Sequence, residues 1–540
     1  MQSKTKRWEL QNKEEVKGSD QIVQVLLENR GIKTKKDKEE FFHPTDPVKI
    51  SLESLGVKGS EVKKAIARIK KAKKSRENVI VYGDYDADGI TATAIMWEAL
   101  HAFGLDVLPH IPDRFEEGYG INDQSIKNLK LKIPNLKLIV TVDNGIVGYG
   151  GIETANLLGI DVIVVDHHTK GIKKVKAYSV IHNTAVCGSA LAYFFAKELG
   201  FDNGLELATI GTVADQMPLI GVNRSIVKYG LTELNQTKRP GLRTIIDSSK
   251  LENVGTYEIN YIIAPRLNAM GRLAQGIDSL RLLCTTKLSK AKELSELLDK
   301  TNSERQKIVE NVLLLARKNV TNEKVIVISG ENYHEGVIGL AAGRLVEEFY
   351  RPAIVISVKG EISKASARSI SGFNIIEAIR SVNLHKEGGG HPMAAGFSIE
   401  TSKVGKFIKE INKYASKLLT DELLQKKLRI DLEINFERIN EELMKEVKEF
   451  EPSGLGNPGA VFVSKKVEVI DIKSVGHEAK HLKLKLKQDE HIFGSIFFGG
   501  GEMYSVLKIG SKIDIVYSIE ENTWNGYKSI QLKIKDLKEN

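Results

Sequence analysis

Three aspartates with regular spacing carry the first chemical signal of the chain. Asp84, Asp86 and Asp88 stand two residues apart in the segment VYGDYDADGITAT, directly after an apolar run and directly before a glycine. Crowded carboxylates repel one another and take up protons unless cations neutralise them. The spacing therefore predicts a site for divalent cations at the end of a strand.

Further acidic residues and histidines end two other apolar runs. Asp143 lies near the end of LKLIVTVDNG, and the run DVIVVDHHT contains Asp166, His167 and His168. Such short runs of Val, Ile and Leu, separated by helix-like stretches, are typical of βαβ units in an open, doubly wound parallel sheet. Ligands of these sheets bind beyond the carboxyl ends of the strands. We therefore expect these side chains to converge with the first three aspartates.

The ligand types indicate which cation this edge would bind. Asp215, in ATIGTVADQMPL, follows a helical pattern at 191–199 and can reach the same edge. Oxygen and imidazole ligands suit Mn²⁺ or Mg²⁺ better than an ion that prefers thiolates. Because five or more ligands exceed the need of one ion, we expect two ions about 3.5–4 Å apart with a bridging carboxylate, the usual arrangement for phosphoester hydrolysis.

Composition narrows the class of protein. A chain of 540 residues with 41% hydrophobic and 28% charged residues should form about three or four packed domains. No stretch approaches the roughly 18 apolar residues of a membrane span, and the first 15 residues lack an apolar signal segment, so we expect a cytoplasmic protein with no membrane partner. Two cysteines suit a reducing compartment, and a net charge of +9 weakly favours polyanionic partners.

The ordered motifs resemble a known family. DYDADGITA, TVDNG, VVDHHT and GTVADQMPL look like the successive motifs of the DHH phosphoesterase superfamily. Later segments narrow the resemblance to the RecJ-type single-stranded-DNA-specific exonucleases over nearly the whole chain. These segments are RFEEGYG, APRLNAMGRL, HEGVIGLAAGRL, ASARSISGFN, GGGHPMAAGFSI and EPSGLGNPGAVF.

The resemblance implies an α/β fold with a C-terminal barrel. We expect a parallel-sheet DHH catalytic domain with an N-terminal extension at 1–225, a helical connector at 226–321 that contains one long helix at 288–318, and a second α/β, DHH-associated domain at 322–420. Short alternating strands at 425–540 predict a small barrel. The resemblance implies that this barrel is an OB-fold that binds nucleic acid. The additional C-terminal domain of some longer relatives is not expected here.

The resemblance also implies roles for individual residues. It places metal ligands at Asp84, Asp86, Asp88, Asp143, His167 and Asp215, with Asp143 as the bridge. Asp166 is expected to orient His167, and His168 to face the scissile phosphate. For the 5′-phosphate of the substrate, the candidate ligands are Arg114, Arg266 or Arg272, Ser366, Arg368 and His391. Candidates for a nucleic-acid track on the barrel are Lys473, His477, Lys480, His481, Lys483, Trp524 and Tyr527.

The function implied is 5′-to-3′ hydrolysis of single-stranded DNA to 5′-mononucleotides with two Mn²⁺ or Mg²⁺ ions, in DNA repair and recombination. A helicase and a single-strand-binding protein are the protein partners considered, and we expect a monomer. Alternatives are a phosphodiesterase of short oligonucleotides or cyclic dinucleotides, an inorganic pyrophosphatase, and a scaffold that binds single-stranded DNA without catalysis. The pyrophosphatase would not need some 300 residues after the catalytic domain, and the scaffold would be free to lose its carboxylates.

Overall fold

The computed structural model describes residues 6–14, 16, 18–524 and 527–539, except the side chains of residues 523 and 524. Within these ranges, no helix is both long enough and apolar enough to span a membrane. The N-terminal part contains β1 (Arg7–Leu10), α1 (Ser19–Glu28) and α2 (Lys35–Phe42).

A five-stranded parallel sheet forms the centre of the first half of the chain, with strand order β3-β2-β4-β5-β6. Its elements are α3 (Gly59–Ser75), β2 (Asn78–Tyr82), α4 (Ala87–Ala102), β3 (Asp106–His110), α5 (Asp123–Lys132), β4 (Leu136–Val142), α6 (Tyr149–Leu157), β5 (Asp161–Asp166) and β6 (Ser179–His182). The predicted parallel sheet is therefore confirmed, with β2, β4 and β5 at the three apolar runs. Their Val and Ile residues are buried on both faces, which explains why these strands show no apolar–polar alternation.

A helical region follows the sheet. It consists of α7 (Gly188–Glu198), α8 (Leu205–Ala214), α9 (Gly221–Asn235), α10 (Pro240–Ser248), α11 (Thr256–Glu258), a π-helical segment (Ile259–Ile263), α12 (Ala264–Leu273), α13 (Ile277–Cys284) and α14 (Leu288–Lys318). The long helix predicted at 288–318 is confirmed as α14, which has 31 residues. Asp215 directly follows α8, a helix that the sequence pattern did not reveal.

A second, mixed sheet lies beyond α14, with strand order β10-β11-β9-β8-β7. Its elements are β7 (Ile326–Gly330), α15 (Ile338–Phe349), β8 (Ala353–Ser357), β9 (Ile362–Arg368), α16 (Ile375–Val382), β10 (His385–His391), β11 (Ala394–Glu400) and α17 (Val404–Ser416). β7 and β8 are parallel, whereas the remaining pairs are antiparallel. This arrangement confirms the predicted second α/β unit.

The C-terminal strands close into a barrel. They are preceded by β12 (Lys427–Ile430), and the unit contains β13 (Leu432–Glu433), α18 (Glu441–Glu449), β14 (Phe462–Val475), β15 (His481–Gln488), β16 (His491–Phe497), β17 (Lys512–Trp524) and β18 (Tyr527–Glu539). The order β14-β15-β16-β18-β17 closes because β14 also pairs with β17. The five-stranded barrel agrees with the predicted OB-fold.

The N-terminal segment packs on the barrel. β1 pairs in parallel with β12, and Leu26, Leu27 and Phe41 share one apolar core with barrel residues. The N-terminal segment and the barrel are therefore joined by burial of apolar side chains, a long-range contact that no local pattern indicates.

Arg224 on α9 connects the half that contains the parallel sheet to this N-terminal and barrel assembly. Its guanidinium is buried and donates to the carbonyl oxygens of five residues, at 2.7–3.3 Å. The acceptors are Phe41, Glu449, Phe450, Glu451 and Pro452. The guanidinium also lies 3.9 Å from the centre of the Phe41 ring. Burial lowers the pKa of Arg224 to about 10, and the carbonyl contacts offset the cost of holding a charge there.

Candidate active site

The loop after β2 presents the first three aspartates. Asp86 caps α4 by accepting a hydrogen bond from the Gly89 amide at 3.0 Å, and this bond turns the chain sharply from strand to helix. A β-carbon at Gly89 would lie 2.5 Å from the β-carbon of Asp84. The glycine after the third aspartate is therefore required by the close approach of the helix to the loop.

Asp88 is fixed by the start of another helix. Its two carboxylate oxygens accept from the backbone amides of Gly188 and Ser189, at 2.7 and 2.9 Å, in the first turn of α7. These amides are two of the donors that the first turn of a helix leaves without partners inside the helix. The side chain is buried, so its position is set before any ligand binds.

Asp143 follows β4 with a left-handed backbone. Its φ is 60°, and its amide donates to the Val165 carbonyl at 3.0 Å. Left-handed geometry is uncommon for residues other than glycine, although aspartate and asparagine adopt it more readily than most. This strained turn aims the Asp143 carboxylate at His167, whose Nε2 lies 3.1 Å from Asp143 Oδ1.

The predicted ligands gather in three overlapping groups. Within each group the potential ligand atoms lie within 4.8 Å of one another. The groups are Asp84 with Asp86 and Asp143, then Asp88 with His167 and Asp215, and finally Asp143 with His167 and His168. All six predicted metal ligands thus come together, and Asp143 and His167 connect the first two groups.

Burial and mutual repulsion act against ionisation of these carboxyls in the absence of cations. Burial, followed by the neighbouring carboxylates, raises the pKa of Asp84, Asp86 and Asp143 and raises that of Asp215 to about 8. Asp84 Oδ1 and Asp143 Oδ1 are buried and accept no hydrogen bond from any described residue. Buried carboxylate oxygens without donors fit divalent cations, which would supply the missing positive charge.

Asp166 contacts a different histidine from the one expected. Asp166 was expected to orient His167, but its Oδ1 lies 2.8 Å from His168 Nδ1 and 3.0 Å from the His168 amide. Along an extended segment, alternate residues point to the same side, so residues 166 and 168 share a side. Burial disfavours the charged imidazole, yet the hydrogen bond and charge of Asp166 outweigh it and raise the pKa of His168 to about 9.

Four of the residues predicted to bind the 5′-phosphate line one cavity of about 420 Å³. They are Arg114, Arg272, Ser366 and Arg368. Tyr85 stands between Asp84 and Asp86 in the sequence. The centre of its ring lies 5.2 Å from the Arg114 guanidinium, so the cavity adjoins the carboxylate loop. Arg272 donates to the Gly336 carbonyl at 3.1 Å, and Arg368 approaches Ser366 Oγ at 3.3 Å.

The electrostatics of this cavity favour an anion. Burial and the charges of Arg114 and Arg305 lower the pKa of Arg272 to about 10, and burial with the charge of Arg114 also lowers that of Arg368. Several guanidinium groups are thus held close together against their mutual repulsion. A phosphate group would relieve this repulsion, and its oxygens match the planar donor geometry of arginine.

Two predicted residues lie elsewhere. Arg266 pairs with Asp299 at 2.6 Å and donates to the Ile262 carbonyl, so Arg272 is the one that reaches the cavity. His391 is exposed at the end of β10, and among the described residues it does not line the cavity, although Gly388 does.

Two residues that sequence reasoning missed support the site. Tyr119 Oη lies 3.1 Å from His168 Nε2, and Asn268 Oδ1 accepts from the Ala87 amide at 2.7 Å at the start of α4. Both belong to the quoted segments RFEEGYG and APRLNAMGRL, but neither has a spacing that indicates its partner. Only the packing of these segments on the carboxylate loop reveals their contacts.

Comparisons with known proteins agree with this geometry. Family models described as "DHH family, N-terminal domain", "DHHA1 domain" and "RecJ OB domain" match residues 78–215, 322–417 and 430–536. The single-stranded-DNA-specific exonuclease RecJ of Bacillus subtilis is 34% identical, over 98% of this chain and 70% of its own length. RecJ of Thermus thermophilus is 30% identical, over 94% of this chain and 74% of its own length.

Solved structures give the same result. The crystal structure of Thermus thermophilus RecJ in complex with Mn²⁺ matches with a TM-score of 0.83 and 26% identity, over all of this chain and 80% of that chain. The Mg²⁺ complex of the same protein matches with a TM-score of 0.74 and 25% identity, over 99% of this chain and 79% of that chain. From the catalytic sheet to the barrel, the chain belongs to the RecJ family of single-stranded-DNA-specific exonucleases.

Proposed function

We propose that this protein is a 5′-to-3′ exonuclease that hydrolyses single-stranded DNA to 5′-mononucleotides, in DNA repair and recombination. The observation that carries the proposal is the position of the arginine cavity beside the carboxylate loop, with Tyr85 between them. A terminal 5′-phosphate carries about one more negative charge than an internal phosphodiester, so the cavity favours a 5′ end. The adjoining carboxylates then lie next to the first internucleotide bond.

The six predicted ligands are proposed to hold two Mn²⁺ or Mg²⁺ ions. Asp84 and Asp86 would bind one ion, Asp88, His167 and Asp215 the other, and Asp143 both. When bound, two such ions lower the pKa of water and neutralise charge on the phosphate. The relatives of known structure support this choice, since they were crystallised with Mn²⁺ or Mg²⁺.

The remaining side chains are proposed to orient the substrate. His168 Nδ1 donates a hydrogen bond to Asp166 Oδ1, so the proton-carrying ring is held in one orientation. Its Nε2 faces Tyr119 and can donate to an oxygen of the scissile phosphate, where negative charge increases in the transition state.

The terminal phosphate of the strand would be fixed by the residues of the arginine cavity, and this contact sets the direction of hydrolysis. These residues are Arg114, Arg272, Ser366 and Arg368. His391, exposed at the end of β10, is proposed to approach a phosphate of the strand outside the cavity. Arg266 is paired with Asp299, so Arg272 is the arginine proposed for the terminal phosphate.

The barrel is proposed to hold the strand further along. Six of the residues predicted for this track lie at the surface on β14, on β15, on β18 and in the turn between β14 and β15. They are Lys473, His477, Lys480, His481, Lys483 and Tyr527. Basic and aromatic side chains of this kind bind backbone phosphates and stack with bases. The side chain of Trp524, also predicted for this track, lies outside the described part of the chain.

The predicted domain boundaries, 1–225, 226–321, 322–420 and 425–540, are also proposed, and the ranges of the three family models support them.

A helicase would supply single strands and a single-strand-binding protein would keep them unpaired, so both are proposed as partners of a monomeric enzyme. The free cysteines Cys187 and Cys284 support a reducing compartment, and we propose the cytoplasm.

The test uses one single strand labelled at its 5′ end and the same strand labelled at its 3′ end, each incubated with Mn²⁺ and with Mg²⁺. We expect labelled mononucleotide at once from the 5′-labelled strand and only late from the 3′-labelled strand. Early release from the 3′ end would contradict the proposed polarity. Cleavage of dinucleotides without cleavage of long strands would identify a phosphodiesterase of short oligonucleotides instead.

A further inference from the structure

One continuous helix runs along the candidate active site. It consists of α11, the π-helical segment and α12, and is called the spanning helix (256–273) here. Its C-terminal end contributes Arg272 to the phosphate cavity, and Asn268, one turn earlier, accepts from the Ala87 amide of the carboxylate loop. The helix therefore contacts both parts of the site that the proposed function uses.

The N-terminal end of the spanning helix carries two stacked aromatic rings. The ring centres of Tyr257 and Tyr261 are 4.7 Å apart, with 33° between the ring planes. The two residues are 62% and 61% exposed, so neither ring is used to build the core. Tyr261 belongs to the π-helical segment, a feature found frequently at functional sites.

Hydrogen bonds join this aromatic pair to the site. Asn260, next to Tyr261, accepts from Gln216 at 2.7 Å, and Gln216 directly follows the predicted ligand Asp215. On the other side, Thr256 donates to the Ser453 carbonyl in the segment that leads to the barrel. The pair thus lies between the carboxylates and the barrel.

The length of the helix gives the separation of these features. Tyr261 and Arg272 are 11 residues apart in sequence, and Tyr257 and Arg272 are 15 apart, which corresponds to roughly 16 and 22 Å along the axis. A strand whose 5′-phosphate lies in the arginine cavity would pass the carboxylates and reach the tyrosines a few nucleotides later. Exposed tyrosine rings at that distance match the stacking platforms of proteins that bind single strands.

We propose that Tyr257 and Tyr261 form a base-stacking site for single-stranded DNA downstream of the cleaved bond, between the active site and the barrel. This proposal rests on the proposed function, because the strand is taken to enter the active site by its 5′ end. The site binds nucleobases through their flat faces and is therefore tolerant of sequence. It is specific for strands long enough to extend past the metal ligands.

The first experiment measures dissociation constants for a 5′-phosphorylated, fluorescent single strand in EDTA, where no hydrolysis takes place. Tyr257→Ala/Tyr261→Ala is compared with the wild type and with Tyr257→Phe/Tyr261→Phe, which keeps both rings. Base–aromatic stacking of this kind is worth about 1–3 kcal/mol, so we expect binding to weaken roughly 5- to 100-fold in the alanine variant. The phenylalanine variant should bind within about twofold of the wild type.

Oligonucleotides with one abasic position, moved stepwise from the 5′ end, locate the stacked base. In the wild type, one or two positions should weaken binding, and the same positions should have no effect in the alanine variant. Unchanged binding by the alanine variant, or an equal abasic penalty in both proteins, would overturn the proposal. Tyr257→Leu/Tyr261→Leu is the last variant, because full binding of the strand by it would show that an apolar side chain without an aromatic ring suffices, which would overturn the stacking proposal.

Dinucleotide hydrolysis separates this proposal from the proposed function. A dinucleotide cannot reach the tyrosines, so wild type and alanine variant should cleave it at equal rates. If the wild type cleaves no DNA at all, the proposed function fails, whereas the binding results in EDTA still decide whether the tyrosines stack with bases. Equal thermal midpoints for the variants and the wild type would show that the exposed substitutions leave the fold intact.

Discussion

His167 Nε2 lies 3.1 Å from Asp143 Oδ1, and this contact joins two groups of potential metal ligands into one site. Asp143 belongs to the group with Asp84 and Asp86, and His167 to the group with Asp88 and Asp215. A carboxylate in this position can bridge two cations, which is the arrangement that suits phosphodiester hydrolysis. The left-handed backbone of Asp143 is what directs the carboxylate toward the histidine.

Replacing Asp143 should abolish activity without unfolding the protein. Asp143→Asn removes a charge from a buried cluster and is compatible with the left-handed φ of 60°. We expect more than about 100-fold loss of hydrolysis and weaker binding of both ions. Titration calorimetry with Mn²⁺ measures the binding, and the thermal midpoint in EDTA should be unchanged or higher. Activity close to that of the wild type would contradict a bridging role.

Asp166 should act on catalysis through His168. Asp166→Asn keeps the shape of the side chain but removes the charge that holds the His168 ring in one protonation state. We expect kcat to fall roughly 10²- to 10⁴-fold, the range for loss of a positioned acid or base. KM and Mn²⁺ affinity should change little, since Asp166 is not one of the six predicted ligands. A large loss of Mn²⁺ affinity would show that Asp166 acts on metal binding instead.

Arg368 should determine the preference for a 5′-phosphate. Arg368→Ala removes one donor from the cavity, and hydrogen bonds to charged groups are worth about 1.5–3 kcal/mol. We expect the ratio of kcat/KM for 5′-phosphorylated over 5′-hydroxyl strands to fall roughly 10- to 100-fold. Arg266→Ala is the matched control, because its partner is Asp299 and the ratio should stay the same. An undiminished ratio in Arg368→Ala would exclude this arginine from the phosphate pocket.

The barrel should contribute phosphate contacts that depend on salt. Lys483 and Lys485 alternate with buried leucines on β15 and point outward. Each neutralised phosphate of a single strand contributes about 0.7 to the slope of log K against log salt. Lys483→Ala/Lys485→Ala should therefore reduce the slope by up to about 1.4, as measured by fluorescence anisotropy. Lys406→Ala/Lys409→Ala, on the exposed side of α17, should leave it unchanged.

Arg224 should control stability more than chemistry. Arg224→Met leaves five buried carbonyl oxygens without their donor, and one such unsatisfied group costs about 1–3 kcal/mol. We expect urea unfolding to begin at lower concentration, with separate transitions for the catalytic half and the barrel. Lys228→Met, which removes a single bond to the Phe42 carbonyl, should have a smaller effect. One cooperative transition in Arg224→Met would show that other contacts couple the two parts.

The sequence by itself determined the fold class and predicted a set of candidate metal ligands. β2, β4 and β5 lie at apolar runs of the sequence. Side chains buried on both faces of a sheet are apolar regardless of which helices pack on those faces, so the runs alone indicate the strands. The aspartates after β2 are recognisable from their spacing, because three carboxylates this close together repel one another unless cations neutralise them. The long helix α14 was also predictable from the sequence, because its apolar residues recur at helical spacing along one stripe.

Tertiary structure decided which neighbour each functional residue meets. Arg266 and Arg272 belong to the same motif, yet of these two only Arg272 lines the arginine cavity, because Arg266 meets Asp299 on α14. Asp166 holds His168 and not His167, since alternation along the extended chain places residues 166 and 168 on one side. Long-range packing likewise brings the N-terminal helices onto the barrel. These contacts depend on the relative placement of distant segments, which local spacing does not encode.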